Sequence, residues 1–124
     1  MQSGSVMSVS GNIVDIHNES VFPGTVHIRN GIITGIDRQR YWYDTYILPG
    51  FIDSHVHIES SMLTPAGFAR LAVVHGTVAA VSDPHEIVNI LGLQGIDYMV
   101  DNSAQVPFVF SFGAPSCGPS GPCE

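Results

Sequence analysis

Residues 51–82 read FIDSHVHIESSMLTPAGFARLAVVHGTVAAVS, and their change of period decides the fold. The opening FIDSHVHI is a run of apolar and β-branched residues that suits a strand. Thr64 is placed as an N-cap, with Pro65 at the first helical position. Phe68, Leu71, Ala72 and His75 then fall at helical spacing, and Gly76 is placed to stop the helix. TVAAVS follows as a short apolar strand. Further on, DPHE reads as a loop, IVNILGLQGIDYMVDNSA as largely helical with Gly92 and Gly95 blurring its start, and VPFVFSF as another buried strand. Strand, helix, strand, helix, strand is the pattern of a parallel sheet. Strands that are apolar throughout fit a sheet covered on both faces.

Upstream the pattern is different. GNIVDIHN alternates as a short strand, FPG reads as a turn, and TVHIRN alternates again. Asn30-Gly31 is the dipeptide that a two-residue type I′ hairpin requires, so IITGID is the returning strand. RQRYWYDTY is an aromatic-rich linking piece, and ILPG punctuates the chain before the second unit. The fold class is therefore α/β: a β-meander followed by parallel βα units. The tail GAPSCGPSGPCE is rich in Gly, Pro and Ser.

Composition narrows the function. The chain has 124 residues, a net charge of −7 and four basic residues, Arg29, Arg38, Arg40 and Arg70, with no lysine. So sparse a basic complement excludes the electrostatic footprint of nucleic-acid binding and of an anionic membrane surface. The first residues have neither a basic segment nor an apolar run, and Leu71 to Val81 is too short and interrupted to span a bilayer. A cytoplasmic chain is expected. Cys117 and Cys123 can pair or stay free; without a secretion signal, free thiols are the commoner case.

The chemistry sits at strand ends. On a strand, residues two apart share a face, so His55 and His57 present two imidazoles able to converge on one ion. Asp53 has the same parity and suits a supporting carboxylate that fixes a tautomer or orientation. The other reading of the pair is a satisfied polar feature at a strand end. SDPHE, directly after an apolar strand, places His85 and Glu86 on the same rim, where they can move protons or contact substrate. Asp-Pro is equally an ordinary turn starter, and Glu86 can simply favour a helix N-terminus. Ser116 and Cys117 fall at the rim after the last strand. His17 and His27 lack partners in sequence, and His75 suits a helix C-terminus.

LPGFIDSHVHIESSML resembles the first barrel strand of the amidohydrolase superfamily, and the added SDPHEIVNILG and PSC resemble the adenine deaminases within it. The resemblance covers roughly Gly11 to Cys117. It implies a flanking β-domain segment over residues 1–48 and the first βα units of an incomplete (β/α)8 TIM-type barrel over residues 49–124. It implies one or two divalent ions (Mn, Fe or Zn), with His55 and His57 as metal ligands and Asp53 as the supporting acid. Glu59 matches a position near the substrate, and His85 and Glu86 match positions in the catalytic machinery. The implied reaction is attack of an activated water on C6 of adenine, with loss of ammonia to give hypoxanthine, in a homo-oligomer.

The chain departs from that pattern in length. A complete barrel needs about 200 residues or more, and about three strands are present here. The bridging lysine or glutamate and the later ligands of the superfamily have no counterpart in it. The expectation is thus an N-terminal part of such an enzyme, inactive alone. Rival readings are a dihydroorotase-like or hydantoinase-like hydrolase, and a self-associating, non-catalytic fragment. A cytidine-deaminase type is excluded because His57 to Glu59 has no Pro-Cys-x-x-Cys to follow it.

Overall fold

The computed structural model describes residues 5–113, and the chain divides into two compact units, Met1–Pro49 and Gly50–Glu124. In the first unit, β1 (Val6–Asp15), β2 (Ser20–Arg29), β3 (Ile32–Arg38) and β4 (Tyr46–Ile47) form one sheet in the order β3-β2-β1-β4. The first three pair antiparallel, and β4 adds parallel to β1. Asn30 and Gly31 turn the β2–β3 hairpin with φ of 53° and 77°, the left-handed pair that the dipeptide predicts.

The expected turn at FPG is corrected. Phe22, Pro23 and Gly24 lie inside β2, opposite Ile13, Asn12 and Gly11. The chain reverses instead at residues 16–19. There Asp15 accepts the backbone N–H groups of His17 and Asn18 and the Asn18 side-chain amide, at 2.7–3.1 Å. The Asn18 amide, the first of these donors in weight, helps hold the Asp15 carboxyl below its usual range. Pro23 is tolerated because its carbonyl faces Gln39, one residue past the end of β3. The N–H it lacks would point to that same side, beyond the ladder.

Asn12 is buried and does structural work at long range. Its Nδ2 donates to the Tyr43 carbonyl at 2.7 Å, and its Oδ1 accepts the Tyr43 N–H at 3.0 Å. The aromatic linker is thereby tied to β1 while Tyr41 and Trp42 stay exposed.

The second unit holds a parallel sheet of β5 (Phe51–Val56), β6 (Thr77–Ser82) and β7 (Val109–Phe112), in that order, with α1 (Pro65–Val73), α2 (His85–Leu91) and α3 (Leu93–Ser103). A meander in one unit and parallel βα units in the other make up the α/β arrangement that the sequence predicts. Thr64 caps α1, its hydroxyl accepting the Gly67 N–H at 3.1 Å, and Pro65 takes the first helical position as expected.

Burial in this unit departs from the pattern of the sequence in two respects. The buried side of α1 is Pro65, Ala66 and Ala69, whereas Leu71 is exposed. Small residues let α1 approach β6 and α3 closely, and Asn102 accepts the Ala66 N–H at 2.9 Å. The sheet is not covered on both faces either: Ile52 and Val109 are 67% and 68% exposed. The helical stretch after β6 is two helices, broken at Gly92 (φ 61°, ψ −144°). Its first turn already includes His85 and Glu86, which corrects the loop expected at DPHE. No helix among the described residues is long and apolar enough to cross a membrane.

Candidate metal centre

Strands β5 and β6 end side by side, and the Asp83 N–H, just past β6, donates to the carbonyl of Val56, the last residue of β5, at 3.0 Å. The carboxyl ends of parallel strands are where loops converge and polar side chains gather. His55 is the last residue but one of β5, and His57 follows its end. Glu59 opens a 3-10 turn, Glu59–Ser61, and Asp83 follows β6. His85 and Glu86 open α2. One rim collects them all.

The two imidazoles meet at Nε2, 3.0 Å apart. Two nitrogens each bonded to one ion at about 2.1 Å, at about 90°, would stand about 3.0 Å from each other, so the pair has the spacing of a chelate. On the other side of the His57 ring, Nδ1 lies 3.1 Å from Glu86 Oε2. An ionised carboxylate only accepts, so Nδ1 carries the proton, and in the neutral imidazole Nε2 is then left with the lone pair. A metal ligand needs that tautomer.

Glu86 is held firmly. Ser60 Oγ donates to its Oε1 at 2.6 Å. Burial pushes its carboxyl up, but hydrogen bonds from Ser60, its own backbone N–H and His57 outweigh that and hold it at about 2. It is therefore an anion at any ordinary pH.

Two groups of side chains could hold an ion: His55, His57 and Asp83, and His57, His85 and Glu86, each with its ligand atoms within 4.8 Å of one another. His57 belongs to both, yet its Nδ1 is engaged by Glu86. Its Nε2 faces His55 instead, which favours the first group. Asp83 supports that choice, because its Oδ1 is buried without a hydrogen-bond partner while Oδ2 lies 3.3 Å from His85 Nδ1. A buried, unpaired carboxylate oxygen is costly unless something cationic meets it. Two imidazoles and a carboxylate are a donor set suited to a divalent transition ion. The residues fit the group.

The remaining candidates fall as follows. Asp53 Oδ1 accepts the His55 backbone N–H at 3.1 Å, so it shapes the strand end, and the carboxylate on an imidazole of the pair is Glu86. Glu59 Oε1 accepts the Ile87 N–H at 3.3 Å, at the N-terminus of α2, while its Oε2 is buried and unpaired. The His85 ring stands edge-on to that of His57, with centroids 4.7 Å apart. Ser116 and Cys117 lie outside the described residues. Away from the rim, His27 bonds Ser8 Oγ at 2.8 Å and Asp37 Oδ2 at 2.9 Å, partners that only the β-sheet register supplies. Sequence reasoning missed Asp83 and Ser60. Asp83 had a signal, its place directly after an apolar strand, but Asp-Pro reads first as a turn.

Comparison with known proteins agrees with this architecture. The family model described as "Amidohydrolase family" matches residues 46–124, more than half of the chain. The chain belongs to the amidohydrolase family. Among its relatives is an adenine deaminase of Salinibacter ruber, 52% identical over 117 residues, which cover 94% of this chain and 22% of the relative. An adenine deaminase of Sulfurovum sp. is 57% identical over 114 residues, 92% of this chain and 21% of the relative. One from Methanosphaera stadtmanae is 46% identical over 114 residues, again 92% and 21%. This amidohydrolase chain thus spans about a fifth of the length of the curated relatives it matches, and corresponds to their N-terminal portion.

Proposed function

We propose that the chain supplies the first half of the metal centre of an adenine deaminase, which hydrolyses adenine to hypoxanthine and ammonia, and that it does not complete the reaction by itself. The observation that carries this reading is the His55–His57 pair, spaced at 3.0 Å and oriented by Glu86, beside the unpaired Asp83 oxygen. Relatives named adenine deaminase over nearly the whole chain supply the substrate.

In this reading His55, His57 and Asp83 hold a divalent ion, with Mn, Fe and Zn the candidates. When bound, the ion supplies Lewis-acid chemistry that makes a water nucleophilic near neutral pH. The residues of the chain do the rest of the local work. Glu86 keeps the His57 proton on Nδ1. His85 and Glu59 face the same rim, where Glu59 Oε2 is free to accept a proton or an amino group of the purine. Asp53 fixes the backbone at His55. Ligands from further strands are needed to enclose the ion and the purine, so turnover belongs to the longer protein.

The test has two arms. In calorimetric titration with Zn2+ or Mn2+, the 124-residue chain binds one ion, and His55→Ala or His57→Ala abolishes binding. In a coupled ammonia assay the same chain releases nothing from adenine, whereas a full-length protein carrying these residues does. Undiminished binding in both histidine variants would overturn the ligand assignment. Ammonia production by the 124-residue chain would overturn the incompleteness.

A further inference from the structure

Ser60 has no role in the reading above, yet it makes one of the shortest bonds in the centre. Its hydroxyl donates to Glu86 Oε1 at 2.6 Å, in the range of a charge-assisted O–H···O− bond. Ser60 is exposed, so water could satisfy it equally well. Local geometry explains why the bond forms instead. The 3-10 turn is closed by Ser61 N–H to the Ile58 carbonyl at 3.1 Å and by Met62 N–H to the Glu59 carbonyl at 2.9 Å. Ser61 Oγ adds a 2.6 Å bond to the same Ile58 carbonyl, and Ile58 is itself fully buried. The turn is anchored on both sides, and Ser60 projects from it at a fixed place.

From there a chain of bonds runs inward: Ser60 Oγ to Glu86 Oε1, then Glu86 Oε2 to His57 Nδ1. Glu86 lies in the first turn of a helix of only seven residues, and its side chain is part-exposed. Without a second tether its carboxylate would be free to turn toward water. We propose that Ser60 is a positioning residue for the metal centre: it locks the Glu86 carboxylate so that His57 stays in the Nδ1–H tautomer, with Nε2 ready to ligate. This rests on the metal-binding reading above. Supporting partners of ligating histidines commonly change metal affinity by about 10- to 100-fold. Ser60 acts through one intermediate residue, which places its effect near the lower end of that range.

The experiment measures Zn2+ affinity of the 124-residue chain in competition with a chromophoric chelator. Ser60→Ala is expected to weaken Zn2+ by about 10-fold, and Ser60→Thr, which keeps the hydroxyl, to restore it. Nitrogen-15 NMR of the His57 ring in the metal-free protein gives a readout that folding alone does not move. The wild type is expected to hold the Nδ1–H tautomer and Ser60→Ala to show a mixture. Should Ser60→Ala fail to fold, Ser60→Cys keeps the bulk with a weaker donor and is expected to shift both readouts the same way. Wild-type affinity and an unchanged tautomer in the alanine or cysteine variant overturn the role of Ser60 while leaving the metal reading intact. A wild-type chain that takes no Zn2+ overturns the metal reading and this proposal with it.

Discussion

Replacing Glu86 with glutamine tests how strongly the rim holds its carboxylate, and the effect has a defined pH dependence. In the folded protein Glu86 is held at about 2 against an ordinary value of 4.5. At 1.36 kcal/mol per pH unit that gap corresponds to about 3.4 kcal/mol. The side chain is 39% exposed, so solvent screening reduces the figure, and about 1–1.5 kcal/mol is the expected contribution. The sign follows from the depression. A carboxylate more acidic when folded stabilises the fold fully above the unfolded value, and the contribution is lost as pH falls from about 4.5 toward 2. The three α-helices among the described residues lie in the second unit, so circular dichroism at the helical band reports its unfolding. Urea titrations of the metal-free chain and of Glu86→Gln at pH 5.5 and pH 3.0 supply the comparison. The wild type is expected to be more stable by about 1–1.5 kcal/mol at the higher pH, and that advantage to shrink by more than half at the lower. Taking the difference cancels the other carboxylates. An advantage that is the same at both pH values would refute the claim that hydrogen bonds to the anion hold Glu86 in place.

Two further substitutions probe the scaffold. Asn12→Leu removes both side-chain bonds to Tyr43 and leaves its N–H and carbonyl without those partners, so the first unit should lose about 2–4 kcal/mol, read by the fluorescence of Trp42 during denaturation; an unchanged midpoint would show that the linker is held by other means. Gly50→Ala places a Cβ 2.6 Å from both methyl groups of Val78, so overpacking should cost the second unit about 1–3 kcal/mol in a thermal melt followed at the helical band. Wild-type stability in that variant would mean Val78 can move aside freely.

Much of the fold was legible because its signals are local. Asn30-Gly31 and Thr64-Pro65 act through the conformations of one or two residues, so pattern and structure agree there. Pro23 misled because a proline reads as a turn unless one knows that the neighbouring strand stops beside it. The buried side of α1 was invisible for a different reason. Its periodic apolar residues pointed to Leu71, but close packing on β6 and α3 selects Ala66 and Ala69. At the rim, the His-x-His spacing and the parity of the strand were readable. The partners of the histidines were not, because Glu86 and Ser60 are 29 and 26 residues from what they touch. Asp53 was read as a supporting acid from strand parity and from the resemblance, and in the structure its carboxylate accepts the His55 backbone N–H.

That distance in sequence says how the half-site is built. The bonds that tie His57 to Glu86 and Glu86 to Ser60 run between residues 57 and 86, inside one compact unit. The tautomer of His57 and the ionised state of Glu86 are consequently set by β5, the turn after it, β6 and the start of α2. No later strand is required for either. Enclosure is different: two imidazoles and one carboxylate would leave a bound ion open to water, and closing its coordination would take further side chains. Ligand orientation and ligand completion are thus separable tasks in this fold. The first is carried by about a fifth of the length of the related enzymes, and it rests on hydrogen bonds to Glu86 as much as on the histidines themselves.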